Sequence, residues 1–90
     1  MHRTLIESAE YTAQLTALGN PERLDDVLCG VSWALSTNPE IYDIVRGFQD
    51  IRLLKTDSFP GAPALRIWFR IDENGQHVHL EAIEAIEVEP

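Results

Sequence analysis

Hydrophobic and polar positions change rhythm along the chain, and each change marks an element. Between Ala64 and Ala82 they alternate. Ile67, Phe69 and Ile71 interleave with Arg66, Trp68 and Arg70, and after Asp-Glu-Asn-Gly-Gln, Val78 and Leu80 interleave with His77, His79 and Glu81. A period of two is the signature of strands with one buried face. Asn74-Gly75 between the two runs predicts a hairpin with a type I′ turn, whose central residues both need positive φ. Counting outward from that pair sets Ile71 against Val78, Phe69 against Leu80 and Ile67 against Ala82. The other face then pairs Arg70 with His79, Trp68 with Glu81 and Arg66 with Ile83. A slip of one residue would mix the two sets.

Upstream the period lengthens. Residues 3 to 7, Arg-Thr-Leu-Ile-Glu, lean toward a strand, with adjacent Leu5 and Ile6 leaving its inward side open. Ser8 is placed to cap a helix. Tyr11, Leu15 and Leu18 follow at i, i+4 and i+7, and Gly19 supplies the stop, giving a helix of about 10 residues. Asn20-Pro21 starts a second helix, with Glu22, Asp25 and Asp26 toward the positive end of its dipole. Leu24, Val27, Leu28, Val31 and Leu35 form its apolar stripe. Trp33 lies nearly opposite that stripe. It fits two readings, packing on the first helix in a helical hairpin or anchoring a partner chain.

Asn38-Pro39 ends the second helix. Ile41, Ile44 and Val45 fit either one more helical turn or an extended segment. Asp50 to Lys55 reads as a strand, with Ile51 and Leu53 inward and Arg52 outward beside Leu54. Ser58 to Pro63 is a loop. Beyond Ile83, Glu-Ala-Ile-Glu suits a strand that runs on or a short helix. The order strand, helix, helix, three strands predicts a single α+β domain over residues 1–90, β-α-α-β-β-β, with a helical hairpin on one face of a small, mainly antiparallel sheet.

Composition sharpens this picture in two places. Hydrophobic residues at 44% and charged residues at 24% are ordinary globular values and exclude disorder. The single cysteine, Cys29, has no intramolecular disulfide partner, and no signal peptide or long apolar run is visible, so a reduced, cytoplasmic protein without a membrane partner is expected. The net charge of −8 opposes bulk attraction to nucleic acid or anionic lipid. Five of the seven basic residues nevertheless lie between positions 46 and 70: Arg46, Arg52, Lys55, Arg66 and Arg70. Any anion-binding surface is therefore local.

The predicted open sheet face carries the candidate chemistry. Arg52, Arg66, Arg70 and His79 form a candidate anion site, because guanidinium forks match phosphate oxygens and His moves a proton near neutral pH. Trp68 there offers a stacking plane for a base. The plainer reading is a solvated face of cross-strand pairs. Glu81 lies on that face, where it neutralises arginines and repels phosphate. His77 and His79, with Glu81, share a strand face at a spacing that admits zinc, but no second cluster completes a ligand set. No metal and no cofactor are expected. Phosphate loops, nucleophile elbows and dinucleotide fingerprints are missing from the sequence.

Several local stretches resemble the RelE/ParE superfamily of toxin–antitoxin systems. Asn38-Pro39 follows the second helix, then come Arg46-Gly47, a strand beginning Ile-Arg-Leu, a loop with glycine, and Leu-Arg-Ile-Trp-Phe-Arg-Ile-Asp. The last is similar to the family's third strand, in which an arginine precedes an apolar run with an aromatic. The resemblance covers the whole chain in topology and about half of it in local sequence. It implies a toxin-like component of a type II system with a cognate antitoxin as partner, acting mainly by binding protein, and it also allows a homodimer. In the ribonuclease branch it implies metal-independent cleavage of messenger RNA on the ribosome. There Arg66, matching the third-strand arginine, would act with Arg52, Lys55 and His79, and Arg70, Trp68 and Trp33 would serve binding. The C-terminus departs from that branch. Where the family has a basic residue and then an aromatic, this chain reads Glu84, Ala85, Ile86, Glu87, Val88, and no Tyr, Lys or Arg follows Arg70. A degenerate member that keeps only the fold is the third reading.

Overall fold

Residues 3–19, 24–48, 50–58 and 63–86 are described in the computed structural model. Strand β1 (Thr4–Glu7) leads into helix α1 (Ala9–Ala17), followed by helix α2 (Leu24–Thr37) and a single 3₁₀ turn, Pro39–Ile41. Strands β2 (Arg52–Lys55), β3 (Ala64–Ile71) and β4 (His77–Ile86) complete one sheet in the order β1-β4-β3-β2. β1 runs parallel to β4, and the other pairings are antiparallel. The predicted α+β order is the observed one.

Local chemistry sets the helix ends. The Ser8 hydroxyl accepts from the Tyr11 N–H at 3.0 Å, satisfying a first-turn donor, and donates to the Glu81 carbonyl at 3.0 Å. That one side chain therefore caps α1 and ties it to β4. Gly19, at φ +78°, takes the left-handed conformation that ends the helix. The Asn20-Pro21 start predicted for the second helix, and the Phe59 to Ala62 part of the predicted loop, lie outside the described residues. So do Glu22 and residues 87–90.

The helices lie on the sheet face that carries Leu65, Ile67, Phe69, Val78 and Ile83, all essentially inaccessible to solvent. Leu24, Val27, Val31 and Leu35, the stripe read from the sequence, supply the α2 side of that core, and Tyr11 supplies the α1 side. Leu5 packs inward on β1, while Ile6 is exposed. Burial pushes the Tyr11 hydroxyl up to about 12, with the negative charge of Glu7 adding to the effect. Tyr42 meets Phe69 edge to face, with ring centroids 5.9 Å apart.

Three details of the sheet correct the sequence reading. The hairpin connection is not a two-residue I′ turn, since Gly75 has positive φ and Asn74 does not. The Gly75 N–H donates to the Asp72 carbonyl, and the Asp72 N–H donates to the His77 carbonyl, both at 3.0 Å, enclosing a four-residue loop. The cause is Asp72, whose Oδ1 accepts from the N–H groups of Gln76 and His77 at 3.1 and 3.2 Å. The predicted pairs nearest the turn survive, with Ile71 against Val78, Arg70 against His79 and Phe69 against Leu80.

The second correction is a β-bulge. The register shifts between Trp68 and Phe69, so that Leu80 faces Phe69 but Ala82 faces Trp68, leaving Glu81 as the extra residue. Beyond it Ile83 faces Ile67 inside the core and Glu84 faces Arg66, whereas the regular alternation had placed Ala82 inside and Ile83 outside. Burial decides the matter, because the bulge trades an alanine for an isoleucine in the core. β4 then runs on as a strand to Ile86.

The third correction concerns β2. Arg52 pairs with Phe69 and Leu54 with Ile67, so both lie on the helix-covered side. Leu53 pairs with Trp68 and Lys55 with Arg66 on the open side. The predicted inward and outward positions are exchanged, and Leu54 rather than Leu53 is buried. After the 3₁₀ turn the chain becomes extended and covers part of the outer edge of β2. The Leu53 N–H donates to the Asp43 carbonyl at 3.2 Å and the Val45 N–H to the Ile51 carbonyl at 2.7 Å.

Candidate functional site on the open sheet face

Away from the helices, β3 presents Arg66, Trp68 and Arg70, all half-buried. Their neighbours follow from the register: Lys55 and Glu84 beside Arg66, Leu53 and Ala82 beside Trp68, His79 beside Arg70. The structure therefore brings together Arg66, Arg70, Lys55, His79 and Trp68 on one face, as the alternation predicts. Arg52 is not among them. Its Nη1 donates to the Tyr42 carbonyl at 2.6 Å and the Glu40 carbonyl at 3.2 Å, fastening the chain after the 3₁₀ turn to β2.

The two arginines of β3 already have carboxylate partners. Arg70 Nε donates to Glu81 Oε1 at 2.8 Å, and Arg66 Nη1 donates to Glu84 Oε1 at 2.9 Å. The bulge is what brings Glu84 to this face opposite Arg66, since regular alternation already places Glu81 there. Beside Arg70, a depression of about 510 Å³ is lined by Asp50, Asp72 and Glu73, three carboxylates against one guanidinium. An anion approaching this end meets repulsion. Lys55 is exposed and has no carboxylate partner among the described residues, so the open face has its least compensated positive charge beside Arg66.

His77 does not join an ion site. Its Nδ1 lies 2.7 Å from Asp72 Oδ2 at the turn. Desolvation is the largest single influence on the Asp72 carboxyl and pushes it up. The His77 backbone N–H, the His77 ring and its charge, and the Gln76 N–H together outweigh it, so the group is held below its ordinary value. The His77 and His79 rings are 6.4 Å apart, and among the described residues no group of three or more His, Cys, Asp or Glu side chains could hold a metal ion.

Sequence reasoning missed Arg3. Its Nε donates to the Gly75 carbonyl at 2.7 Å, its Nη1 to the Thr37 carbonyl at 3.2 Å, and its Nη2 to the Glu40 carboxylate. One guanidinium thus joins the hairpin tip, the end of α2 and the 3₁₀ turn. No local pattern announces such a role, because its partners lie 34 to 72 residues away. Trp33 does not pack on the first helix. It is 67% exposed, which removes the core reading and leaves the surface one.

No protein-family profile and no curated protein sequence matches the chain. Solved structures do. The toxin–antitoxin complex RelBE2 from Mycobacterium tuberculosis is similar over 96% of this chain and 100% of that one, with a TM-score of 0.76 at 16% identity. A mutant of the E. coli toxin RelE in the free state is similar over 97% of this chain and 86% of that one, with a TM-score of 0.71 at 17% identity. The intact E. coli RelBE toxin–antitoxin complex is similar over 96% of this chain and 99% of that one, with a TM-score of 0.69 at 15% identity. Identities this low speak for architecture and not for particular site residues. The chain has the fold of the RelE toxins.

Proposed function

We propose that this protein is the toxin-like component of a type II toxin–antitoxin pair and acts mainly by binding protein, with a cognate antitoxin as its partner in the cytoplasm. The observation that carries this reading is the pairing of Arg66 with Glu84 and Arg70 with Glu81 in a chain of RelE fold. A sheet face whose guanidinium groups are occupied by its own carboxylates is poorly suited to holding RNA phosphates. Two of the similar structures are complexes with an antitoxin, which supports a protein partner for the same architecture. No helix among the described residues is long and apolar enough to cross a membrane.

Ribosome-dependent cleavage of messenger RNA is the second reading. Lys55 favours it, lying across the strands from Arg66 with Trp68 one position along on the same face. In that chemistry Lys55 and Arg66 would stabilise charge at the phosphate as the 2′-hydroxyl attacks it, with His79 available for proton transfer. Expression of the chain with and without the adjacent reading frame tests the leading reading. Growth arrest relieved by the neighbour is expected, and harmless expression would refute it. Replacing Arg66 by Ala and mapping cleavage of translated messages separates the two, since arrest that persists unchanged removes Arg66 from any cleavage.

A further inference from the structure

β4 outruns the strand on its outer side. β1 ends at Glu7, paired with Leu80, while β4 continues to Ile86. Past that point no strand among the described residues lies along the outer edge of β4, and the backbone groups there need other partners. Two side chains at helix α1 serve them. Ser8, whose own N–H donates to the Leu80 carbonyl, donates its hydroxyl to the Glu81 carbonyl at 3.0 Å. Gln14 Oε1 accepts from the Ile83 N–H at 2.8 Å. Its Nε2 donates to Glu10 Oε1 at 3.4 Å, which turns the amide oxygen toward β4. The two bonds bracket the bulge, since Glu81 is its extra residue and Ile83 the first core residue beyond it.

We propose that α1 gates the open sheet face from the opposite side: Ser8 and Gln14 hold the bulge that sets Glu84 against Arg66, and loosening that grip uncovers the guanidinium to anions. The proposal rests on the reading of this face as silenced by its own carboxylates, and it names what controls the silencing. The Arg66 and Glu84 side chains, 2.9 Å apart, are 42% and 49% exposed. An exposed pair of this kind has little energy of its own to keep two long side chains together. It persists where the backbone fixes both stems, and the stem of Glu84 lies one residue past the Ile83 N–H. Burial of Ile83 favours the bulged register, but it anchors only the inward side of β4, whereas Gln14 anchors the edge. Ser8 and Gln14 act through β4 and are therefore positioning residues. Helix α1 is also lightly held. It has 9 residues, too few for stability in isolation, and Tyr11 is its one buried side chain. An element of this kind can loosen locally while the rest of the core stays folded, which is what a gate requires.

Gln14→Leu removes the acceptor at similar size. Hydrogen exchange reads the bulge, and binding of a fluorescent oligouridine of about 10 nucleotides at low salt reads the face. Gln14→Leu is expected to speed exchange of the Ile83 amide about fivefold, what one hydrogen bond contributes, with the amides at the centre of β3 unchanged. Gln14→Glu, which keeps an acceptor oxygen, is expected to restore slow exchange. RNA binding is expected to tighten about two- to fivefold in Gln14→Leu, the range set by an exposed ion pair, and a gain of affinity does not arise from lost stability. Glu84→Gln should give a similar gain, and the two changes together no more than either alone, because both act on one pair. Gains that multiply in the double variant, or an Ile83 amide that exchanges as slowly without Gln14 as with it, would overturn the proposal. If Glu84→Gln tightens RNA binding and Gln14→Leu does not, the gate fails while the silencing reading stands. If Glu84→Gln itself leaves binding unchanged, that reading fails and the gate falls with it.

Discussion

The open face of the sheet and the strip from Trp33 to Phe48 are both surface, yet they are finished to different degrees. On the open face the charged groups of β3 are answered across the strands by Glu81 and Glu84, and Asp72 answers His77 at the turn. On the strip, the apolar side chains of Trp33, Ile41, Ile44 and Phe48 stand exposed. A surface that satisfies itself gains little by binding, whereas unsatisfied apolar area is stabilised by a partner. The contrast inverts the first impression left by the sequence, in which the Arg-Trp-Arg alternation draws the eye and residues 33–48 read as a helix end and a connection.

The sharpest way to break the comparison is to attack the bulge that defines the two faces. If Ile83 lies inside and Ala82 outside, Ile83→Ala costs about 2–5 kcal/mol, the range for an aliphatic truncation in a core. Ala82→Ser, on the half-buried open face, costs within about 0.5 kcal/mol. Urea unfolding of the two variants measures the difference, and a reversed order would restore the unbulged register.

That register shows how far sequence reading reaches. Alternation fixed the hairpin beside the turn, the stripe of α2 and the Ser8 cap, because each depends on neighbours in sequence. The bulge had a trace of its own, the three-residue step from Leu80 to Ile83, but strict alternation absorbs it by accepting Ala82 as a core residue. β2 offered no such trace. In Ile-Arg-Leu-Leu two apolar residues adjoin, so either phase buries one of them, and only pairing with β3 chooses Leu54. Arg3 was beyond reach for the same reason, since its partners come from distant parts of the chain, whereas for Trp33 the sequence left a packed and an exposed reading open and the structure chooses the exposed one.

Arg3 offers the next largest effect. Its side chain is mostly buried and serves three acceptors on three elements, so Arg3→Ala leaves the Gly75 and Thr37 carbonyls and the Glu40 carboxylate short of a donor. A loss of about 1–3 kcal/mol is expected from the unmade bonds. Hydrogen exchange should show that loss at the hairpin tip and at the end of α2 more than at the centre of the sheet. A uniform loss would mean that Arg3 does not hold those elements together.

Removing the open-face carboxylates sharpens the comparison from the other side. Both ion pairs are substantially exposed, so Glu81→Gln with Glu84→Gln should change stability by about 1 kcal/mol or less. The double variant frees Arg66 and Arg70 next to Lys55. Binding of a single-stranded RNA oligomer should rise measurably and fall again with salt. Unchanged RNA binding would show that the acids do not silence this face.

The smallest expected effect tests the third open-face pair through pH. Asp72 is held below its ordinary value in the folded chain, so the folded state binds its proton less readily than the unfolded state does. Its contribution is therefore present above the ordinary carboxyl value of about 3.9 and is lost as pH falls through the lower folded value. Asp72→Asn keeps an oxygen for the Gln76 and His77 N–H groups but loses the charge that attracts the His77 ring. At neutral pH the variant should melt only slightly below the native chain. The gap should close as pH falls below the ordinary carboxyl value of about 3.9, where the native carboxylate takes up its proton. A gap that stays constant across that range would mean that the loop depends on the hydrogen bonds of residue 72 alone, and that its charge does nothing for the turn.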